Sequence, residues 1–459
     1  MVPSFLKSAE DRGWKVERLE HLIAKKVIVG HLDGNHGSLY PRSSEFIDSG
    51  IKYISANALI NGKVDLTKAK FLSIERGEQF KKGVAKSGDV LFAHNATVGP
   101  VGILETTDEF VIISTSLTYY RCNPSKIDNV YLSQFMASPS FIRQYERIMK
   151  QTTRNQIPIT AQRDFYFVLP SVPEQQKIAK ILSTWDKAIS TTERLIENST
   201  QQKKALMQQL LTGKKRLIST QSSFSVRDGF AKSKLGELPD DWNLSLIPNF
   251  YWFQEGPGVR KHQFTETGVK LLNGTNIQKS RVDLTTTKTH ISEDEAYGGY
   301  KHFLADSGDL IIACSGISVD RFDEKIAFLE DHHLPLCMNT STMRFKVKKD
   351  VKASLEFLRY FMMSPLFKNQ IRRQITGSAQ LNFGPSHVEK CYIALPSYDE
   401  QQRIAAVLIN ADKEIDLLEQ QLADLQQEKK ALMQVLLTGK KRVVVDGGKL
   451  NQSTVRLST

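Results

Sequence analysis

The chain has 459 residues, with 62 Lys+Arg against 50 Asp+Glu, ten His and a formal net charge of +12. Hydrophobic residues make up 40% and charged residues 24%, which excludes a disordered chain; at roughly 100–200 residues per domain, two or three domains are expected. The pI near 9.3 favours a polyanionic partner, nucleic acid first.

The opening segment, residues 1–13, has no apolar core of a signal peptide, and no run of ~18 apolar residues occurs anywhere. Neither a leader nor a membrane span is expected, and the protein is placed in the cytoplasm. Residues 14–168 then form a first domain. Short β-like runs (Val90-Leu91-Phe92, Phe110–Ile113) alternate there with turn clusters, and a helix is expected near Val130–Lys150. Residues 169–216 form a long helix. Residues 217–238 read as a Ser-rich polar linker, most plainly at Ser219–Lys234. A second domain of the same texture, 239–394, carries Leu310-Ile311-Ile312, Met343-Arg344-Phe345 and a helix near Leu355–Thr376. A second long helix, 395–443, and a tail, 444–459, complete the chain.

The organisation is a tandem duplication. Leu169–Arg216 and Leu395–Arg442 superimpose without a gap, with more than half their positions identical. Upstream, Ser87-Gly88-Asp89 meets Ser307-Gly308-Asp309, and Trp14 meets Trp242. Ser171-x-x-Glu174 and Ser397-x-x-Glu400 have capping-box spacing, while Gly213 and Gly439 suit a left-handed helix end. The Lys-Lys-Arg after each glycine reads either as positive charge at the helix's negative end or as a DNA contact.

About 39 helical residues at 1.5 Å each give a rod of roughly 60 Å. In the first helix Ile178, Leu182, Trp185, Ile189, Ile196, Leu206 and Leu210 follow a 4,3 spacing, interrupted by Thr192, Ser199 and Lys203. In the second, Ile404, Leu408, Ile415, Leu418, Leu422, Leu425, Leu432 and Leu436 keep it more strictly. This is a coiled-coil seam. The expected fold is α+β: two tandem mixed α/β domains, each followed by a long helix, with the two helices pairing as an antiparallel coiled coil of pseudo-two-fold symmetry. Exposed seam residues such as Ile196, Leu206 and Leu210 predict aggregation of the lone chain.

Catalytic patterns are missing. No glycine-rich cofactor turn with an Asn/Asp-Pro-Pro-aromatic loop is present, and no GxxxxGK[ST] phosphate cradle. Gly88-Asp89 and Gly308-Asp309 read as a turn before a buried strand rather than a metal-nuclease motif. Cys122, Cys314, Cys337 and Cys391 lack zinc spacing and are expected as buried free thiols. His332-His333 reads as a loop or a DNA-facing pair rather than a metal site. No metal and no catalytic residue are assigned, and the chain is not expected to be an enzyme by itself.

Two variable domains, each followed by a helix carrying LPSxxEQQxIAxxL and KKALMQxLLTGKKR, with a Gly-Glu-Leu-Pro-x-x-Trp restart between them, closely resemble the specificity (HsdS) subunits of type I restriction–modification systems. Trp14 departs from the pattern, following Asp11-Arg12-Gly13 rather than Leu-Pro. The resemblance covers Trp14 to Val443. It implies two target recognition domains, each reading one half of a bipartite, asymmetric sequence in double-stranded DNA, with the helices as spacer and docking platform. It also implies two modification subunits that methylate adenine N6 with S-adenosylmethionine, and up to two restriction subunits using ATP and Mg²⁺; none of these cofactors binds this chain. A repeated docking face agrees with recruiting one partner twice, and the rod length allows half-sites about one helical turn apart. The alternative is a coiled-coil scaffold without sequence-specific DNA binding.

A base reader needs Arg or Lys for guanine edges and Asn or Gln for adenine. Candidates by composition are His94, Asn95, Thr97, Arg154, Asn155 and Gln156 in the first domain. In the second they are Arg260, Lys261, His262, Thr275, Asn276, Gln380 and Asn382. For each loop the competing reading is an ordinary hydrogen-bonded turn. Arg154→Ala is predicted to weaken specific binding by roughly 1–3 kcal/mol if Arg154 contacts a base. Competition titrations decide this, because a uniform loss on all sequences makes it a phosphate contact instead.

Overall fold

The computed structural model describes residues 2–150, 155–217, 229–375 and 380–445. It divides into two compact units, Met1–Arg194 with Glu419–Thr459, and Leu195–Leu418. The divisions fall inside two helices of 39 residues, α1 (Val172–Leu210) and α2 (Tyr398–Leu436). Each stops at a glycine with positive φ, +68° at Gly213 and +70° at Gly439. At Gly213 a Cβ would also stand 2.2 Å from Pro239 Cγ, so glycine is required twice over.

In the first unit a six-stranded sheet runs Ile28–Asp33, Leu117–Cys122, Val90–Ala93, Val101–Ile103, Gly62–Val64, Leu59–Ile60. A five-stranded sheet is centred on Ile51–Ile54 and Val111–Ile113. In the second unit the corresponding four-stranded sheet is Tyr251–Glu255, Thr342–Val347, Leu310–Ala313 and Ile326–Phe328. In both units the strand that enters the domain pairs antiparallel with the strand that leaves it for the long helix: Lys15–Arg18 with Tyr166–Leu169, and Asn243–Leu246 with Tyr392–Leu395. Phe92, Phe135, Phe141 and Phe167 fill one core, and Phe345, Phe357, Phe361 and Phe367 the other. The fold is therefore α+β, as its sequence texture indicates.

Three local expectations are corrected. The helix expected near 130–150 is two helices, Asn129–Met136 and Pro139–Met149, and its counterpart is Leu355–Met363 and Pro365–Gln374. The cause is Ser-Pro at each break. Proline starts a helix but has no N–H for an interior bond, and Ser138 Oγ caps the new start by accepting from Phe141 N at 3.3 Å. The span read as polar linker holds a hairpin, Phe230–Ser233 against Gly236–Pro239; residues 218–228 lie outside the described residues. The third correction concerns the capping boxes.

The hydroxyl half of the box forms at the second helix, where Ser397 Oγ accepts from Glu400 N at 3.4 Å, but the carboxylates of Glu174 and Glu400 do not turn back onto their own helix starts. Glu400 accepts from Arg216 Nε and Nη2, both at 2.8 Å, and from Leu217 N at 3.1 Å. Arg216 spends its other edge on Asp241, and its guanidinium lies 5.7 Å from the centre of the Trp242 ring. The first unit builds the same clasp. Arg442 Nε and Nη2 donate to Glu174 at 3.0 and 2.9 Å, Trp14 Nε1 donates to Glu174 at 3.2 Å, and the guanidinium lies 5.9 Å from the Trp14 ring centre. The arginine of each Lys-Lys-Arg therefore closes a fork on a buried carboxylate of the other repeat. For Arg216, only 3% exposed, neither earlier reading holds; Arg442 makes the same fork but keeps about half of its side chain exposed. The glutamines that follow are also used alike. Gln175 accepts from Asp128 N at 2.9 Å and Gln401 from Ser354 N at 3.0 Å, which fastens each domain's helix pair to its long helix.

These contacts define local direction. In the first unit Glu174 meets Arg442, while Asp186, about three turns on, meets Lys429 at 2.5 Å, so these segments of α1 and α2 are antiparallel. In the second unit Arg216 meets Glu400 and Lys203 meets Asp412, with the same sense. Gln134 donates to Asp186 as Tyr360 does to Asp412. Of the seam residues, Ile178, Leu182, Leu210, Ile404, Leu408 and Leu436 are buried. Trp185, Ile189, Ile196, Leu206, Ile415, Leu418, Leu422, Leu425 and Leu432 are half-buried.

Breaking a buried ion pair from one side strands a charge. Arg216→Met is expected to lower unfolding free energy by about 3–5 kcal/mol in denaturant titrations. Adding Glu400→Met to it should recover most of the loss, since the carboxylate still facing the site, Asp241, is solvent-accessible and no buried one is left orphaned.

Candidate nucleic-acid interface

Each domain's Ser-Gly-Asp leads from a turn into a fully buried strand, Val90–Ala93 and Leu310–Ala313. The aspartates hold that turn. Asp89 accepts from Lys86 N at 2.8 Å and takes a two-point bond from Arg121; Asp309 accepts from Asp306 N at 3.0 Å and pairs with Arg344 and Lys346. Among the described residues no cluster of three His, Cys, Asp or Glu is arranged to hold a metal ion. His332 and His333 lie on a short turn, their rings 3.9 Å apart. Burial pushes the thiols up, to about 12 for Cys122, Cys314 and Cys391 and about 11 for Cys337, so all four are inert free cysteines.

The strands emerge into matching tips. In the first domain Ile157 N donates to His94 O at 2.8 Å, Ala96 N donates to Asn155 O at 3.1 Å, and Asn95 bridges Gln156. Two candidate loops separated by some sixty residues thus become one tip. In the second domain Phe383 N donates to Cys314 O at 2.9 Å and Ile317-Ser318 pairs with Leu381-Gln380. Asn382 Oδ1 accepts from Gly316 N at 2.6 Å and Ser315 Oγ at 3.1 Å. Both tips turn on one residue in the left-handed region, Ala96 at φ +64° and Gly316 at +70°.

The candidate side chains divide by accessibility. Thr97 and Asn155 are exposed at the first tip, with Asn95 and Gln156 half-buried; Gln380 and Asn382 are exposed at the second. His94 is buried, its Nδ1 2.8 Å from Thr118 Oγ1, and burial holds its pKa below the usual histidine range. Asn276 is buried too. It accepts from Asn273 N and donates to Asp283 O and Thr287 Oγ1, so the turn consumes it, while Thr275 stays exposed. Arg260, Lys261 and His262 are exposed on a separate short turn. Arg154 lies outside the described residues. Ser315 and Ser318, both exposed at the second tip, were missed by composition. Aligning the two Ser-Gly-Asp strands, which sets Ala96 on Gly316 and Asn95 on Ser315, would have found Ser315; Ser318 falls on Val98 and is found from the structure alone.

Two stability measurements test this geometry. Ala96 holds a backbone conformation that costs a non-glycine residue about 1 kcal/mol, so Ala96→Gly should raise unfolding free energy by up to that amount. Burial lowers His31 from 6.5 to about 4. A histidine kept neutral in the folded state binds its proton first when unfolded, so the stability it confers is full above pH 6.5 and lost as pH falls toward 4. Between pH 7 and 4 the chain should lose about 3 kcal/mol more than a His31→Phe variant in matched denaturant titrations.

Known proteins share this architecture. A family model described as the type I restriction modification DNA specificity domain matches residues 29–199 and 249–427. The type I restriction enzyme MjaVIII specificity subunit of Methanocaldococcus jannaschii is 29% identical over 336 residues, 72% of this chain and 75% of that protein. The putative MjaX specificity subunit of the same organism is 28% identical over 398 residues, covering 83% and 85%. Among solved structures, a chain from a type I R-M system studied for complex assembly and conformational transition aligns over 94% of this chain and 98% of its own, at TM-score 0.55 and 15% identity. The S subunit from M. genitalium aligns over 93% and 96%, at TM-score 0.52 and 13% identity. With its two matched regions covering most of its length, the chain belongs to the type I restriction–modification DNA specificity family, as a specificity subunit.

Proposed function

We propose that the chain selects a bipartite, asymmetric sequence in double-stranded DNA, one half-site per domain, and holds two modification subunits in place for adenine-N6 methylation. The observation that carries this reading is the tip built twice on one backbone plan and finished with different side chains. Asn95, Thr97, Asn155 and Gln156 furnish the first, and Ser315, Ser318, Gln380 and Asn382 the second. Amides and hydroxyls reach base edges by hydrogen bonds, and different sets on equal frames suit unlike half-sites. The exposed cations Arg260 and Lys261 suit phosphate contact, which supplies affinity without sequence.

The clasp, present in both units, supports a second part of the reading. A repeated Arg–Glu fork and a repeated helix surface present one docking face twice, so one partner is recruited in two copies. We read the two long helices as one antiparallel coiled coil that sets the spacing between half-sites, about one turn of DNA. Chemistry lies in the partners: S-adenosylmethionine belongs to the modification subunit, and ATP with Mg²⁺ to restriction subunits, of which up to two join. The protein works in the cytoplasm, where its DNA is; among the described residues no helix is long and apolar enough to cross a membrane.

Single-molecule methylome sequencing tests the whole reading, with cells expressing this chain beside its modification subunit compared with cells lacking it. The expected result is a two-part adenine-methylation motif that disappears with the chain. A complex that forms yet leaves no motif would leave only a scaffold. Asn155→Ala and Gln380→Ala should each weaken specific binding by about 1–3 kcal/mol, the first relaxing one half-site and the second the other.

A further inference from the structure

Beneath the first tip lies a buried chain of side-chain hydrogen bonds. Tyr120 Oη donates to Gln162 Oε1 at 2.7 Å, and His31 Nε2 lies 3.3 Å from the same oxygen. Gln162 Nε2 donates to Thr118 Oγ1 at 3.0 Å and to Ile157 O at 3.2 Å. Thr118 Oγ1 stands 2.8 Å from His94 Nδ1. All five residues are buried, Gln162 and Thr118 completely. One proton assignment satisfies every link. Gln162 accepts twice and donates twice, Thr118 donates to a bare His94 Nδ1, and His31 carries its proton on Nε2. His31 Nδ1 is then left buried with no partner.

The second domain fills the same position with no amide, hydroxyl or imidazole; only the Cys314 thiol makes a hydrogen bond, to Thr340 O at 3.4 Å. Strand register sets Tyr120 opposite His31 and Phe345 opposite Phe253. It also sets Thr118 against Phe92 and Met343 against Ile312, two matching strand positions. The tip alignment sets His94 on Cys314, and the repeat offset sets Gln162 on Val388. All five polar residues are therefore replaced: His31 by Phe253, His94 by Cys314, Thr118 by Met343, Tyr120 by Phe345 and Gln162 by Val388. The ring pair survives the change, at 4.7 Å between His31 and Tyr120 and 5.4 Å between Phe253 and Phe345. This fold thus packs well with an apolar interior here, and the network with its orphaned imidazole nitrogen is not what folding demands.

What the network adds is direction. Gln162 grips Ile157 O, next to Gln156, while Thr118 grips His94, next to Asn95, so both sides of the first tip are tied to one buried amide. Hydrogen bonds fix orientation where apolar contacts tolerate sliding. We propose that Gln162, Thr118 and His94 are positioning residues for recognition of the first half-site: they set the pose of Asn95 and Gln156 without touching DNA. The second tip is instead fixed from its surface, by Asn382 Oδ1 on Gly316 N and Ser315 Oγ. This inference rests on the tips being the base readers.

The test uses the full chain in complex with its modification subunit. Specific and single-base-mismatched duplexes compete at constant salt, and methylation motifs are sequenced in parallel. The variants are Thr118→Val, which removes the bond to His94 at nearly constant shape, and the five-residue transplant His31→Phe, His94→Cys, Thr118→Met, Tyr120→Phe, Gln162→Val. Phe141→Leu, a core change in the same domain that removes none of the network's hydrogen bonds, controls for lost stability. Expected for Thr118→Val is a tenfold or greater loss of discrimination at the first half-site, with the second half-site and random-DNA affinity unchanged. The transplant should relax the first half-site further. Unchanged first-half discrimination in Thr118→Val overturns the proposal, as does an equal loss in Phe141→Leu. Should the transplant fail to fold, Thr118→Val decides alone. If the unmodified complex itself discriminates at neither half-site, the reading of the tips fails rather than the role of the network.

Discussion

Glu174 and Glu400 are carboxylates removed from water at the start of helices, and each is satisfied by an arginine far along the chain, Arg442 and Arg216. Almost every repeated feature of the molecule converges on that fork. The Leu-Pro-Ser start delivers the glutamate, and the Thr-Gly turn after the helix swings the arginine into line. The domain-entry tryptophan lays its ring beside the guanidinium, and the neighbouring glutamine fastens the domain. Desolvating a carboxylate, and at Glu400 its arginine as well, costs several kcal/mol, which a two-point, fully bonded geometry offsets. The fork therefore contributes more to uniqueness than to net stability. A carboxylate with no other donor of equal strength tolerates one partner in one orientation, and that fixes how one repeat's helix end meets the other repeat's helix start.

The seam carries a second such constraint. Leucines alone permit helices to slip by a heptad at little cost, whereas Lys429 beside Asp186 and Lys203 beside Asp412 are satisfied in one register. Gln134 and Tyr360 bring the domains into the same bargain, each donating to the aspartate of its own unit. Duplication retained the aspartate and the lysine and varied the third member. The frame is thereby held constant while the domain it carries is free to change.

Much of the architecture was legible in the sequence because a duplication displays what both copies need. The long helices, their glycine ends and the buried turn-strand at Ser-Gly-Asp follow from repeated residues with local causes. The carboxylate half of each capping box failed for the converse reason. Ser-x-x-Glu is a local pattern, and no local pattern reveals that an arginine more than 180 residues away competes for the glutamate and wins. Ser-Pro at Ser138-Pro139 and Ser364-Pro365 did announce a helix break, but the apolar run around each masked it. The site was legible only as loop composition. Asn155 and Gln380 stay accessible, but His94 and Asn276 look the same in sequence and are consumed by burial. Nothing local separates a residue that faces solvent from one that anchors the turn beneath it.

The comparison between copies extends further than either copy alone. At five corresponding positions one domain holds His, His, Thr, Tyr and Gln, and the other Phe, Cys, Met, Phe and Val. Both fill the same space beneath a tip of the same backbone shape. Since volume and topology are common to the two, they cannot account for the polar set, and neither can folding, because the apolar set folds. A buried amide that costs desolvation and leaves one imidazole nitrogen unpaired is retained only where orientation matters more than packing. The place in this domain where orientation matters is the tip itself, where a shift of well under 1 Å separates a formed hydrogen bond from a missed one. The second tip meets the same demand from outside, by spending the Asn382 carbonyl on its own turn. Two solutions to one positional problem, one interior and one exterior, are what two recognition domains on a shared frame should display when each is tuned separately.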